Sequence, residues 1–253
     1  MIVDYYRPNS LEETLRLLSQ PDRMNIPLAG GTAIDRYTKE DLTVIDLQDL
    51  HLNQIQDRGN TLEVGATATL QDLLNLPRLN PDFKKAILHE ATHNLRQTAT
   101  VAGTLVVANG RSPFATACLA LDLTLVIVPG EERMALGGFL NLRQEILKGR
   151  LITQVSLPMN VTFRYEYVAR SPADLPIVCV AIAQWPSGRT RVALGGFDLS
   201  PKLAMDGPEG GGADIAAMDA YSQAGDQWAS ADYRQEIAGV LTRRCLSGSS
   251  DGR

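Results

Sequence analysis

The sequence predicts a mixed α+β fold laid out in three successive pieces, about 1 to 56, 57 to 158 and 159 to 248. Three observations carry this expectation. Short strand-like runs alternate with capped helices through the first two pieces. Two glycine turns, Ala29-Gly30-Gly31-Thr32 and Thr100-Val101-Ala102-Gly103-Thr104, punctuate that alternation. From Tyr165 onward the pattern turns strand-rich and closes on one long helix.

In the first piece, Ser10-Leu11-Glu12-Glu13 is a capping-box start, and Leu11, Leu15 and Leu18 recur at helical spacing. This predicts a helix over 11–20, ended by Pro21. A strand runs up to Ala29 and another over Thr43 to Leu47. In the second piece, Thr61 to Ala66 alternates as a strand, Thr69-Leu70-Gln71-Asp72 caps a helix that stops at Pro77, and a longer helix starts near Asp82. Leu119 to Val128 and Leu151 to Leu157 read as strands of a buried sheet. In the third piece, Ile177 to Trp185, a Pro186-Ser187-Gly188 turn and Thr190 to Gly195 form a hairpin. Residues 200–228 are rich in Gly, Ala, Asp and Pro, with Gly207 to Gly212 a loop, an excursion rather than a site. Ser230 caps the last helix, whose Tyr233, Ile237, Val240 and Leu241 share a face; Arg243 and Arg244 suit its negative end and Gly248 its stop.

At 253 residues, 44% apolar and 21% charged, the chain has the composition of an ordinary globular protein. A net charge of -5 without a Lys/Arg block argues against a nucleic-acid or basic membrane-binding surface. The longest apolar run, Ala115 to Val128, is broken by Asp122 and too short to span a bilayer, so no membrane segment is expected. The start, Met1 to Arg7, lacks the order of a secretory signal, which makes the cytoplasm the expected location and deprives the sequon Asn160-Val161-Thr162 of meaning. Cys118, Cys179 and Cys245 are odd in number and far apart, so the expectation is buried thiols rather than disulfides or cluster ligands.

Glycine lets backbone approach a ligand and turn N–H groups toward an anion, so the two glycine turns point to a cradle for a phosphate-bearing cofactor. A second motif competes. His89-Glu90-Ala91-Thr92-His93 matches H-E-x-x-H, which on a helix sets two imidazoles on one face with Glu90 as a general base. It needs a third ligand such as Glu131 or Glu132, His51 being the only other histidine and lying upstream; a polar helix face that happens to carry two histidines is the preferred reading, and we assign no metal site to it. Arg96 reads as a cofactor-phosphate contact or a surface residue, and Asp174 as a site or loop-capping carboxylate. Tyr165 and Tyr167 share a strand face, as packing residues or as a cover for a ring system.

Six stretches then occur in a familiar order: Leu28-Ala29-Gly30-Gly31-Thr32, Val64-Gly65-Ala66-Thr67, Arg96-Gln97-Thr98-Ala99-Thr100-Val101-Ala102-Gly103, Leu119-Ala120-Leu121-Asp122, Leu151-Ile152-Thr153 ahead of Leu157-Pro158, and Ala229-Ser230-Ala231-Asp232-Tyr233-Arg234. Together they resemble the FAD-binding medium subunit of molybdenum hydroxylases, as in carbon monoxide dehydrogenase and the flavin domain of xanthine dehydrogenase. The resemblance implies a two-part FAD-binding fold of the PCMH/vanillyl-alcohol-oxidase type followed by a C-terminal α+β domain like that of the carbon monoxide dehydrogenase flavoprotein. It implies FAD between the first two pieces, its pyrophosphate held by backbone N–H groups of Ala29, Gly30, Gly31, Thr32 and Ala33 and of Thr100, Val101, Ala102, Gly103 and Thr104. Ile152 matches a position whose backbone approaches the isoalloxazine, and reads equally as strand core. No catalytic side chain is implied. Electrons would pass from a molybdopterin-binding large subunit through an iron–sulfur subunit to the flavin and on to an acceptor, so that the chain acts only within a complex.

The sequence departs from that family in places. Ala102 stands where the second turn usually has its first glycine, Thr104 where it has Asn or Asp, and Ala33 where the first turn has Asp or Ser. Asn109 and Pro113 occupy the polar positions of a Ser-Pro-x-x-Asp-like segment, Tyr167 replaces a frequent Lys and Arg150 a usual Glu. A Cβ at position 102 is costly if the backbone there needs positive φ. Each lost buried contact removes about 1 to 3 kcal/mol, and 1.4 kcal/mol is about tenfold in affinity. Two readings follow: an FAD subunit with altered contacts, or a degenerate homologue serving as a scaffold or docking subunit without flavin.

Overall fold

The computed structural model describes residues 1–21, 24–34 and 41–248. In chain order the elements begin β1 (Ile2–Tyr6), α1 (Leu11–Leu18), β2 (Met24–Leu28), β3 (Leu42–Asp46), β4 (Ile55–Asp57), β5 (Thr61–Gly65), α2 (Leu70–Leu74) and α3 (Pro81–Glu90). There follow α4 (His93–Arg96), α5 (Val101–Val107), α6 (Pro113–Ala120), β6 (Thr124–Val128), β7 (Glu132–Ala135), α7 (Leu136–Leu140), α8 (Arg143–Ile146) and β8 (Leu151–Pro158). The chain continues as β9 (Thr162–Val168), β10 (Val178–Gln184), β11 (Thr190–Gly195), β12 (Lys202–Gly207), α9 (Ala213–Ala220) and α10 (Ala231–Ser247). Each of the three sheets draws its strands from one continuous stretch, β1 to β3, β4 to β8 and β9 to β12. The elements group into two compact units, each discontinuous in sequence: residues 1–76, 93–107 and 124–156, and residues 77–92, 108–123 and 157 onward.

The first unit opens with a three-stranded parallel sheet in the order β1-β3-β2. α1 provides the crossover from β1 to β2, started by Ser10, whose Oγ accepts from the Glu13 N–H at 3.3 Å. β3 is the central strand and is buried along its whole length. Leu17 of α1, outside the predicted stripe, is buried with Ile45, Leu47, Val128 and Leu151, and the predicted Leu11, Leu15 and Leu18 pack partly buried against that cluster. The parallel register sets Tyr6 opposite Ile45 and Leu28 opposite Asp46, so the carboxyl ends of the three strands lie side by side. A five-stranded sheet in the order β4-β5-β8-β6-β7 follows, with α2 held by the complete Thr69/Asp72 capping box.

The second unit carries the antiparallel sheet β12-β11-β10-β9, with the predicted hairpin between β10 and β11. Val178, Val180, Ile182, Val192 and Leu194 of that sheet are buried in one cluster with Ala217, Ala238 and Leu241 of α9 and α10.

Two expectations are corrected here, and one stretch gains elements. Leu119 to Leu121 do not begin a strand: Ser112 caps α6 and Pro113 sits at its first turn, and the strand starts only at Thr124. A fully apolar run is buried on every side and shows neither period, so only the cap and the proline mark the helix. The predicted loop lies after Gly207, flanked by β12 and α9, two elements that the composition of 200–228 does not announce. In α10 the inward face is Arg234, Ala238, Leu241 and Cys245, while Tyr233 is exposed. Arg234 is fully buried because its guanidinium is saturated, donating to the Ile177, Ala224, Ala229 and Gly196 carbonyls and pairing with Asp226 at 2.9 Å. All three cysteines are buried free thiols, as expected, with burial pushing Cys179 up to about 12. Among the described residues no helix is long and apolar enough to cross a membrane.

Candidate functional site

The first glycine turn leaves the carboxyl end of β2 just after the Leu28 carbonyl accepts from the Leu47 N–H at 2.9 Å. Gly31 has φ of +68°, the left-handed region where glycine carries no Cβ penalty. Gly30 is needed for another reason: a Cβ there would lie 1.7 Å from the Thr98 carbonyl oxygen. The turn is therefore pressed against the segment that leads into the second glycine stretch. Among the described residues the N–H groups of Gly30, Gly31, Thr32 and Ala33 meet no acceptor, although the Gly31 carbonyl accepts from Ile34 at 3.3 Å. Four successive donors are thus left for solvent or a ligand at the end of a parallel sheet, where α/β proteins place anionic groups.

The second stretch is built differently. It is the first turn of α5, and its donors are engaged within the chain: Val101 N–H to Ala68 O at 2.8 Å, Ala102 to Ala66 O at 3.1 Å, Gly103 to Thr100 Oγ1 at 3.2 Å and Thr104 to Thr100 O at 2.8 Å. Ala102 is buried in helical backbone with no positive φ, so the strain considered from the sequence does not arise. Thr104 turns its Oγ1 onto Thr100 O at 2.8 Å, and exposed Gly103 is held against Thr100 Oγ1, which a Cβ would approach to 2.7 Å. The Ala66 N–H in turn donates to Thr153 O at 3.0 Å, tying the start of α5 to β8 beside Ile152. The Ile152 side chain is core, 3% exposed and opposite Ile127. A polar cleft of about 120 Å³ adjoins Thr153, lined also by His51, Gln54, Glu63 and Gly65.

A charged group that sequence reasoning passed over completes the sheet end. Arg7 directly follows β1, and its Nε and Nη2 donate to Asp46 Oδ2 at 3.0 and 2.8 Å. The Tyr5 hydroxyl donates to the same oxygen, and Gln48 N–H caps Oδ1 at 2.9 Å. Burial alone would raise the Asp46 carboxyl; the bonds from Tyr5, Gln48 and Arg7 hold it below its ordinary value. The signal was available as an Arg and an Asp at the carboxyl ends of adjacent strands, but only the parallel register brings them together. Arg96 is buried rather than on the surface, its Nε donating to Gln71 Oε1 at 3.3 Å.

The H-E-x-x-H residues do not share one helix face. α3 ends at Glu90 because Ala91 is extended, with φ -148° and ψ 147°, so His89 and His93 stand on separate helices rather than one face. Among the described residues no cluster of three or more His, Cys, Asp or Glu side chains could hold a metal ion. Glu90 instead caps α6: its Oε2 accepts from Ser112 Oγ at 2.7 Å and from Phe114 N–H at 3.0 Å, while burial raises its carboxyl above the usual range. His89 Nε2 faces the Asp174 carbonyl at 2.7 Å and must donate to it, so the neutral ring accepts at Nδ1 from the Tyr165 hydroxyl at 3.2 Å. Tyr167 stacks on the same imidazole at 4.0 Å, which makes Tyr165 and Tyr167 packing partners of His89. The Asp174 carboxylate caps its own loop through Ser171 Oγ at 3.0 Å. Asn109 likewise caps the Arg111 N–H at 2.8 Å, Pro113 opens α6 and Arg150 pairs with Glu132 at 2.5 Å.

Residues 1–160 match the family described as the FAD binding domain in molybdopterin dehydrogenase. The chain is 27% identical over 249 residues to the protein YgfM of Escherichia coli (strain K12), covering 95% of this chain and 94% of that protein. It is 26% identical over 275 residues to the carbon monoxide dehydrogenase medium chain of Afipia carboxidovorans, covering 96% and 95%. The fold matches a chain of the crystal structure of quinoline 2-oxidoreductase from Pseudomonas putida 86 with a TM-score of 0.82 at 21% identity, over 98% of this chain and 97% of that one.

Proposed function

The chain belongs to the family of FAD-binding domains in molybdopterin dehydrogenases, and from that membership we propose that it is the FAD-binding, electron-transferring subunit of a molybdopterin-dependent hydroxylase or dehydrogenase. The observation that carries this reading is the first glycine turn, whose Gly30 to Ala33 N–H groups meet no acceptor among the described residues. A dinucleotide pyrophosphate fits such a row of donors, and Ala33 adds no carboxylate to repel it. Bound FAD would supply reversible uptake of one or two electrons.

The chain's own residues bind and orient. Ala29, Gly30, Gly31, Thr32 and Ala33 hold the phosphates through backbone donors. Thr100, Val101, Ala102, Gly103 and Thr104 form a rigid wall, with Gly103 offering close approach and the Val101 to Thr104 N–H groups fixing the wall rather than the ligand. Ile152 keeps its side chain in the core and offers only backbone to a ring system. Of the sequence departures, Ala102 costs the site no strain, and Thr104, Asn109 and Pro113 have structural partners or positions of their own. These points favour an occupied site over a degenerate scaffold. The three pieces, 1–56, 57–158 and 159–248, serve as two FAD-binding subdomains and a C-terminal domain. An iron–sulfur subunit and a molybdopterin-binding large subunit are the partners, substrate oxidation lies on the latter, and the assembly is cytoplasmic.

Titration of the purified chain with FAD, followed near 450 nm (approximately the flavin band) and by flavin fluorescence, tests the reading. Saturable one-to-one binding is expected. A flat titration would overturn it in favour of a flavin-free scaffold.

A further inference from the structure

Resting on the FAD reading above, we propose that Arg7 is a phosphate ligand of the same cradle, anchored by Asp46 so that its remaining guanidinium edge is presented to the pyrophosphate that Gly30 to Ala33 hold. Three observations on the sheet end point there. The first is placement. Arg7 leaves β1, Asp46 ends β3 and the glycine turn leaves β2, and the order β1-β3-β2 makes β3 the neighbour of both. Because Arg7 is bonded to Asp46, its guanidinium is held at the end of the central strand, the neighbour of β2.

The second is the way the guanidinium is held. Nε and Nη2 both grip the single oxygen Oδ2, and Nη2 also donates to the Tyr5 hydroxyl at 2.8 Å, while the Asp46 side chain is 9% exposed and that of Arg7 43%. One edge of the fork is consumed in positioning. Nη1 meets no acceptor among the described residues, and a planar guanidinium fixed by one edge suits directional bonding to a phosphate oxygen with the other. The third is complementarity. The four unengaged N–H groups of the turn and the Arg7 Nη1 are all donors, and a diphosphate is a ligand with enough acceptor oxygens to meet them together. Arg7 is thereby a binding and positioning residue, with no part in chemistry.

The alternative role for Arg7 is a plain structural ion pair with Asp46, and opposite effects of two substitutions separate them. FAD binding to the full chain is measured by fluorescence quenching for the parent protein, Arg7→Gln, Arg7→Lys and Asp46→Asn, each checked for folding by urea denaturation. The proposal expects Arg7→Gln to weaken FAD binding about tenfold and to flatten its salt dependence. Arg7→Lys, which keeps charge but loses the fork, falls between. Asp46→Asn keeps the guanidinium and a carbonyl to orient it while removing a negative charge from the phosphate's neighbourhood, so it binds FAD at least as tightly as the parent. Equal affinity of parent and Arg7→Gln would overturn the inference while leaving the FAD reading intact. Should Arg7→Gln fail to fold, parent-like affinity of Arg7→Lys would overturn it in the same way. Absence of FAD binding by the parent would overturn the FAD reading and this inference with it.

Discussion

Gly30 lies against Thr98 so closely that a single methyl on Gly30 would come within 1.7 Å of the Thr98 carbonyl oxygen. The neighbour is backbone and cannot rotate away, so Gly30→Ala must push the first turn off the segment preceding α5. Overpacking of this kind costs about 1 to 3 kcal/mol and more where the obstacle is rigid, which places Gly30→Ala at about 3 kcal/mol or above. Gly31→Ala meets only the Leu28 Cδ1 at 3.2 Å and is penalised mainly for its positive φ, about 1 to 2 kcal/mol. Urea unfolding of the two variants should rank them in that order. Equal losses would show that the turn can separate from Thr98 at little cost.

Arg234 closes a different kind of junction. Its guanidinium gathers four backbone carbonyls and Asp226 within the second unit, so removing it leaves several buried acceptors unpaired at once. Arg234→Leu is expected to destabilise the protein by about 3 to 5 kcal/mol. Arg234→Lys should recover less than half of that, because an ammonium has three donors and no planar fork. Thermal unfolding measures both. A Lys variant as stable as the parent would show that charge alone, and not the fork, holds these loops.

Arg234 also shows why parts of this fold were legible in the sequence and others were not. Caps are local, so Ser10, Thr69 and Ser230 announce their helices correctly, and the glycine turn at Ala29 to Thr32 stands out because its glycine pair directly follows a short strand-like run. The inward face of α10 is hidden in the sequence because an arginine reads as solvent-facing until the five oxygens that satisfy it are known, and these come from separate segments of the chain. The apolar run into β6 hid the end of α6 for lack of any polar face, and the H-E-x-x-H pattern failed because the extended Ala91 separates the histidines. At the candidate site, glycine spacing revealed both turns. Which one has donors to spare, and that Arg7 stands beside it, depended on long-range hydrogen bonds and strand register.

Glu90 has an unusual balance. Burial raises its carboxyl above the usual range while bonds from Ser112 and Phe114 oppose the shift. A raised folded-state value means its contribution is fully present below the unfolded pKa and is lost as pH rises through the folded one. At pH 8 the charge is therefore a burden. Glu90→Gln keeps an acceptor for the Phe114 N–H and the Ser112 hydroxyl, so it should equal or exceed the parent at pH 8 by up to about 1 kcal/mol, and lose that advantage near pH 5. Glu90→Ala, which takes the acceptor from the Phe114 N–H and the Ser112 hydroxyl, should cost about 1 to 3 kcal/mol at either pH. Urea midpoints at the two pH values check the pair; a Gln variant as weak as Ala at pH 8 would mean the negative charge itself is required.

His89 titrates in the opposite sense. Its pKa is lowered, first by burial and then by the nearby Lys85 charge, against an opposing bond to the Asp174 carbonyl. Protonation also turns Nδ1 from acceptor to donor, so the bond with the Tyr165 hydroxyl, in a buried side chain, must reverse its direction. With the folded value below the unfolded value near 6.5, the stabilisation is complete above the unfolded pKa and fades as pH falls toward the folded one. Because the imidazole is only half-buried, the loss should stay within about 1 kcal/mol between pH 7.5 and 5.5. Measuring it in the Glu90→Gln background removes the carboxyl that titrates the other way, and adding His89→Gln should flatten the profile. Persistence of the slope after both substitutions would assign the acid sensitivity to groups other than this histidine.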